Sequence, residues 1–144
     1  MTQGPNLHRV LVTGLLLVSA ALILAGCATA VRAPEMTPFT RGVLLIYEGG
    51  PQQCARKSFA ESLLYLELET GMPRTVTVRA FNEKDRPMKL DPKLIAWATG
   101  INVKIEPDQG SGTVRVTLLG GDSGNLMVSA ANHTGQVKIR KKTK

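Results

Sequence analysis

Two kinds of apolar pattern divide this chain. Residues 10–25 (VLVTGLLLVSAALILA) form an almost unbroken apolar run behind a polar start whose one cation is Arg9. From Val43 onward the apolar residues come instead in short alternating stretches between turn residues, the signature of half-buried strands. In Thr75 to Phe81, Val76, Val78 and Ala80 share one face, while Thr75, Thr77 and Arg79 share the other. Val114, Val116 and Leu118 repeat the pattern, as do Leu126, Val128 and Ala130, then Val137 and Ile139. Ile101, Val103 and Ile105 predict a further strand, and Val43 to Tyr47 and Leu64 to Leu68 two more. Ala55 to Leu66 also fits the opening of a helix.

Turn signals separate these runs at Gly71-Met72-Pro73, Asn82 to Pro87, Pro107 to Gly112, Gly120 to Gly124 and Asn132 to Gly135. One-sided strands with short connections bury their apolar faces against each other. The expected fold is therefore all-β, a sandwich of about seven antiparallel strands rather than a barrel.

The leading run has the order of a secretory signal: a charged start, an apolar middle and small residues at the cut. It ends in Leu24-Ala25-Gly26-Cys27, which resembles the bacterial lipobox. That resemblance implies a diacylglycerol on the Cys27 thiol and cleavage just before it. It also implies palmitate-type acylation and placement at the outer membrane, because Ala28 is not the aspartate associated with inner-membrane retention. The competing reading is an uncleaved membrane span, which a run of this length nearly permits at ~1.5 Å per residue. A plain span has no need of a cysteine at its boundary.

Residues 27–40 hold Pro34 and Pro38 among small residues without a period, and read as a stiffened tether. The expected organisation is a signal peptide over 1–26, a lipidated tether over 27–40, one domain over 41–140 and a basic tail over 141–144. Removing the first 26 of 144 residues leaves 118, room for one domain.

Several segments between Leu63 and Ile139 resemble a bacterial immunoglobulin-like (Big) domain. They are a strand ending in Gly71, the strand TVTVRAF, a polar loop with Pro87, LIAW with Trp97, the turn PDQGSG, and the alternating TVRVTLL and NLMVSAAN. The resemblance implies a β-sandwich with Trp97 packed between the sheets. It also implies a spacer, adhesin-like or glycan- and protein-binding role. Arg41 to Ser58 lies outside it.

Charge then narrows the partners. Without Arg9, 17 basic residues face 11 acidic ones, a net +6 that suits an anionic neighbour in the cell envelope. Lys138, Arg140, Lys141, Lys142 and Lys144 concentrate this excess at the C-terminus and are the candidate partner-binding residues, the alternative being a solvated, frayed end. Aromatic residues make up 4% of the chain, too few for base-stacking platforms, so nucleic acid is not an expected partner.

Catalytic patterns are thin. Gly121-Asp122-Ser123-Gly124 copies the segment around the nucleophile of chymotrypsin-like proteases, but a serine nucleophile needs a histidine and an orienting carboxylate. The plainer reading is a glycine-rich hairpin turn between two strands. His133 alone follows Cys27, within a turn where a solvated side chain is expected, and one histidine cannot build a zinc site. No catalytic residue, metal or cofactor is expected, with a small hydrolase as the minor alternative.

Glu83, Asp85 and Asp91, or Asp108 and Asp122, are loop carboxylates that a calcium site would need, without EF-hand spacing. Asn132-His133-Thr134 spells a sequon without expected use. If Cys27 is acylated, Cys54 has no partner in the chain and is either sheltered or free to pair with another protein.

Overall fold

The computed structural model describes residues 32–144, of which Ala33–Lys144 form one compact unit. The predicted signal and lipobox residues Leu24, Ala25, Gly26 and Cys27 lie outside the described residues. The described fold is all-β. Its nine strands are β1 (Gly42–Glu48), β2 (Tyr65–Leu68), β3 (Arg74–Asn82), β4 (Pro87–Met88), β5 (Ala96–Thr99), β6 (Val103–Glu106), β7 (Thr113–Leu118), β8 (Ser123–Ala130) and β9 (His133–Lys141).

They form two sheets. One runs β1-β3-β7-β6, with the two-residue β4 pairing with the end of β3, and the other runs β2-β9-β8-β5. The alternation read from the sequence sets their inward faces. Val76, Val78 and Ala80 of β3, Val114, Val116 and Leu118 of β7, Leu126, Val128 and Ala130 of β8, and Val137 and Ile139 of β9 are all buried in one cluster drawn from both sheets. Removing such apolar faces from water is the main force holding the sheets together.

Trp97 of β5 belongs to this cluster, and its indole Nε1 donates to the Ser111 carbonyl at 2.8 Å, satisfying the one polar atom that burial would otherwise strand. Gly135 is where β9 meets β1 most closely. A Cβ there would stand 2.6 Å from the Leu44 carbonyl oxygen, so only glycine permits the approach.

Four features depart from the sequence reading. First, β2 pairs with β9 in parallel, Tyr65 opposite Lys138 through Leu68 opposite Lys141, so the sheets are not wholly antiparallel. Second, Ile101 is fully exposed in the turn between β5 and β6, because Gly100 to Asn102 turn the chain before the strand starts at Val103.

Third, no long helix opens at Ala55. The segment Gly49–Leu64 holds only a four-residue helix, α1 (Pro51–Cys54), and a single 3-10 turn at Phe59–Glu61. Fourth, Gly120 to Gly124 is not a hairpin turn but carries the chain from one sheet to the other, from β7 to β8.

The expected tether is also partly built into the domain. Met36 is buried in the core, its N–H donates to the Lys89 carbonyl at 2.8 Å, and the Lys89 N–H returns a bond to the Pro34 carbonyl at 2.8 Å.

Candidate functional site

The outer faces of the two sheets differ. Over the β1–β3 half of the first sheet, Gly49–Leu64 folds back as a flap. Apolar residues on the outward phase of both strands, Tyr47 and Phe81, pack with Cys54 into a second buried cluster beneath it. Thr77, expected to face solvent, is buried as well, and its hydroxyl donates to the Gly49 carbonyl at 2.8 Å.

Arg79 holds the flap down. Its guanidinium donates to the Cys54 carbonyl at 2.9 Å and to the Lys57 carbonyl, while lying 4.8 Å from the Phe81 ring centroid. Tyr47 adds a bond from its hydroxyl to the Ser58 carbonyl at 2.8 Å, and Phe59 meets Phe81 edge-on at 5.9 Å. Burial pushes the Tyr47 phenol above its ordinary value of 10.0, against the opposing pull of Arg79.

Cys54 is thereby sheltered. Its side chain is fully buried, with Sγ 3.5 Å from the Gly49 carbonyl oxygen and 3.6 Å from that of Glu48. Arg56 and Lys57, which would favour a thiolate on an exposed cysteine, have no exposed thiol to act on.

Among the described residues, the outer face of β2-β9-β8-β5 has no such cover. Tyr65, Gln136, Lys138, Arg140, Asn125, Met127 and Ser129 are all exposed along it. Register places Tyr65, Lys138 and Asn125 in one row and Gln136 beside Met127 in the next. Arg140 stacks on Tyr65, with Cζ 4.4 Å from the ring centroid. Glu67, exposed on the same phase of β2, lies opposite Arg140, so the face offers amide and hydroxyl groups, two cations, one carboxylate and one aromatic ring, a mixture suited to polar partners.

The expected C-terminal cation cluster is divided between two places. Lys138 and Arg140 lie on this open face because they alternate with the buried Val137 and Ile139. Lys141, Lys142 and Lys144 lie instead at the end of the domain. They are not a frayed tail up to Lys142: the Lys141 N–H donates to the Asp122 carbonyl at 2.8 Å, and that of Lys142 to the Leu68 carbonyl at 2.9 Å.

The candidate chemistry of the sequence does not assemble. Ser123 pairs with Arg140 and His133 with Ala130, so the two stand at opposite ends of the β8–β9 hairpin, ~23 Å apart by strand rise. They form no dyad. His133 is not simply solvated: Nε2 lies 2.7 Å from the Thr40 carbonyl oxygen and Nδ1 2.7 Å from that of Ala131. It ties the start of β9 to the incoming chain, and Asn132 of the sequon sits in the turn with φ 62°.

The loop carboxylates are likewise dispersed. Glu83 pairs with Arg41 at 3.4 Å and Asp91 accepts from the Lys93 N–H at 3.0 Å. Asp108 neighbours β5 through the Trp97 N–H, whereas Asp122 neighbours Lys141 at the other end. Among the described residues no group of three or more His, Cys, Asp or Glu side chains is placed to hold a metal ion, and no helix is long and apolar enough to cross a membrane. Neither a protein-family model nor a curated protein matches the chain.

Proposed function

We propose that this chain is a non-catalytic lipoprotein of the cell envelope, acylated at Cys27, whose domain is an immunoglobulin-like sandwich that binds or spaces a protein or glycan. Strand order supports the fold assignment. Labelling β1, β3, β5, β6, β7, β8 and β9 as A to G in turn gives A-B-E-D in one sheet and C-F-G in the other, the arrangement of the constant-type immunoglobulin domain. Strand β2 is then an addition beside G. The lipobox resemblance of Leu24 to Cys27 supports the anchor, and outer-membrane placement follows from that resemblance.

The observation that carries the binding reading is the unequal dressing of the two outer faces. A flap closes half of one sheet, while the other is left as a bare polar surface around Tyr65, Lys138 and Arg140, whose two cations face the single charge of Glu67. Acyl chains would confine this surface near a bilayer, at about 0.8 kcal/mol per buried methylene.

Metabolic labelling with palmitate, followed by the mass of the purified protein, tests the anchor. The expected result is a chain beginning at Cys27 and carrying lipid, and loss of the label in Cys27→Ala. An intact leader with an unmodified thiol overturns it. Photocrosslinkers at Gln136 and Lys138, in intact envelopes, test the face: a discrete adduct that Lys138→Glu/Arg140→Glu abolishes is expected, and no adduct at either position overturns the binding role.

A further inference from the structure

The two ends of the domain carry different things. The incoming chain reaches the start of β9, where Thr40 meets His133, and the basic residues lie at the finish of the same strand. From His133 to Lys141 the strand covers ~26 Å. The C-terminal lysines therefore stand at the end remote from Thr40.

Three apolar side chains share that remote end. Met72, in the turn before β3, is 57% exposed, Ile101, between β5 and β6, 103%, and Leu119, after β7, 56%. Backbone bonds hold their loops together: Gly71 N–H to the Leu118 carbonyl at 2.9 Å, and Leu119 N–H to the Asn102 carbonyl at 2.8 Å. The Asn102 amide reinforces this, donating to the Gly120 carbonyl at 3.1 Å and to that of Ser123. Ile101 and Leu119 thus project from braced loops, and nothing in the fold uses them.

We propose that this end, formed by Met72, Ile101, Leu119, Lys141, Lys142 and Lys144, docks on an anionic lipid bilayer other than the one holding the N-terminus. Apolar side chains on separate loop tips reach past lipid headgroups, and lysines beside them meet the phosphates, a division that interfacial binding requires. Apolar tips protruding from separate loops suit a soft lipid surface better than a rigid protein groove.

Lys142 pairs with Glu69 at 3.3 Å and Lys141 approaches Asp122 at 4.0 Å, but both pairs are exposed and are weak competitors for a headgroup. That the docked bilayer is a second one rests on the lipid-anchor reading. Even fully extended, residues 28–33 then reach at most ~20–25 Å from Cys27 to the docked Pro34, short of the ~26 Å rise of β9 alone. The anchor therefore cannot bring this end down flat on its own leaflet.

The test uses the purified protein from native expression, mixed with phosphatidylcholine donor vesicles and with acceptor vesicles that either contain or lack phosphatidylglycerol. Co-flotation with donors reads the anchor, and light-scattering growth on adding acceptors reads the bridge. Phosphatidylglycerol-dependent clustering is expected, weakened by salt. Replacing Lys141, Lys142 and Lys144 with Gln should weaken acceptor capture about a hundredfold, and Ile101→Ser/Leu119→Ser about tenfold.

Both variants alter exposed side chains, so circular dichroism should be unchanged, and Phe39→Ser, equally exposed near the opposite end, should leave capture intact. Protein that floats with donors yet ignores phosphatidylglycerol acceptors, or whose capture survives Ile101→Ser/Leu119→Ser, overturns the docking proposal and spares the anchor. Protein that does not float overturns the anchor, and its co-sedimentation with phosphatidylglycerol vesicles, sensitive or not to the same substitutions, then decides the docking surface by itself.

Discussion

The outer faces of the two sheets began from similar strand sequences and ended differently. On β1 and β3 the outward phase contains Tyr47 and Phe81, and the chain brings Gly49–Leu64 across to bury them. On β8 and β9 the outward phase holds Asn125, Met127, Ser129, Gln136, Lys138 and Arg140, and it stays bare. The lesson is that a strand pair acquires a cover where large aromatic side chains interrupt its outward phase, and remains a surface where that phase is mostly polar.

The largest test of that contrast is Phe81→Ala. Removing a buried aromatic beneath the flap should cost about 3–5 kcal/mol in denaturant unfolding, whereas Met127→Ala on the bare face should stay within ~0.5 kcal/mol. Equal losses would break the comparison.

Arg79→Met comes next. It leaves the Lys57 carbonyl without its Arg79 donor and the Cys54 carbonyl with only the Lys57 N–H, at about 1–3 kcal/mol. If that loss falls on the flap alone, the flap opens about tenfold more often, and the rate of Cys54 labelling by a thiol reagent should rise by the same factor. Unchanged labelling would mean that Arg79 is not the clasp.

The Tyr47 phenol provides a pH test. Because its folded value is raised above 10.0, its contribution to stability is whole below that pH and declines as pH climbs through the raised value. Unfolding midpoints should be flat up to about pH 10 in this respect and then fall, and Tyr47→Phe should remove that part of the fall. A fall of the same size in Tyr47→Phe would detach it from the flap.

The smallest effect belongs to the open face. Arg140→Ala should cost about 0.5–1 kcal/mol through its lost stacking on Tyr65, measured by a double-mutant cycle with Tyr65→Ala. A coupling several times larger would show that this face is organised for stability and not for contact.

The inward half of this fold was legible from alternation. Val76, Val78 and Ala80, the β7 and β8 triplets and the Val137–Ile139 pair all point where period two places them. Trp97 was legible through the family resemblance, and its burial agrees. Ile101 was misread because alternation with Val103 and Ile105 runs straight through a turn that Gly100 begins.

The flap escaped because its residues carry no period: they cover few side chains and are held by carbonyl bonds to Arg79, Tyr47 and Thr77. A signal for it was present. VLLIY is apolar in both phases, and Phe81 breaks the polar phase of β3, so both strands needed something on their outer side. The parallel pairing of β2 with β9 was beyond reach, since nothing local in Tyr65–Leu68 specifies a partner so far along the chain. The division of the C-terminal cations followed only once the end of β9 was fixed, because one residue decides which side each lysine takes.

That parallel pairing governs when the domain can close. β9 is the last of the domain's strands to be made, yet it lies inside its sheet, between the second strand and the eighth. A chain emerging from a ribosome or through a translocation channel therefore has β2 and β8 ready with the gap between them unfilled. Completion must wait for the ninth strand to arrive, and a truncation before His133 would leave β2 without its partner strand and β8 as an aggregation-prone edge, in place of one continuous sheet.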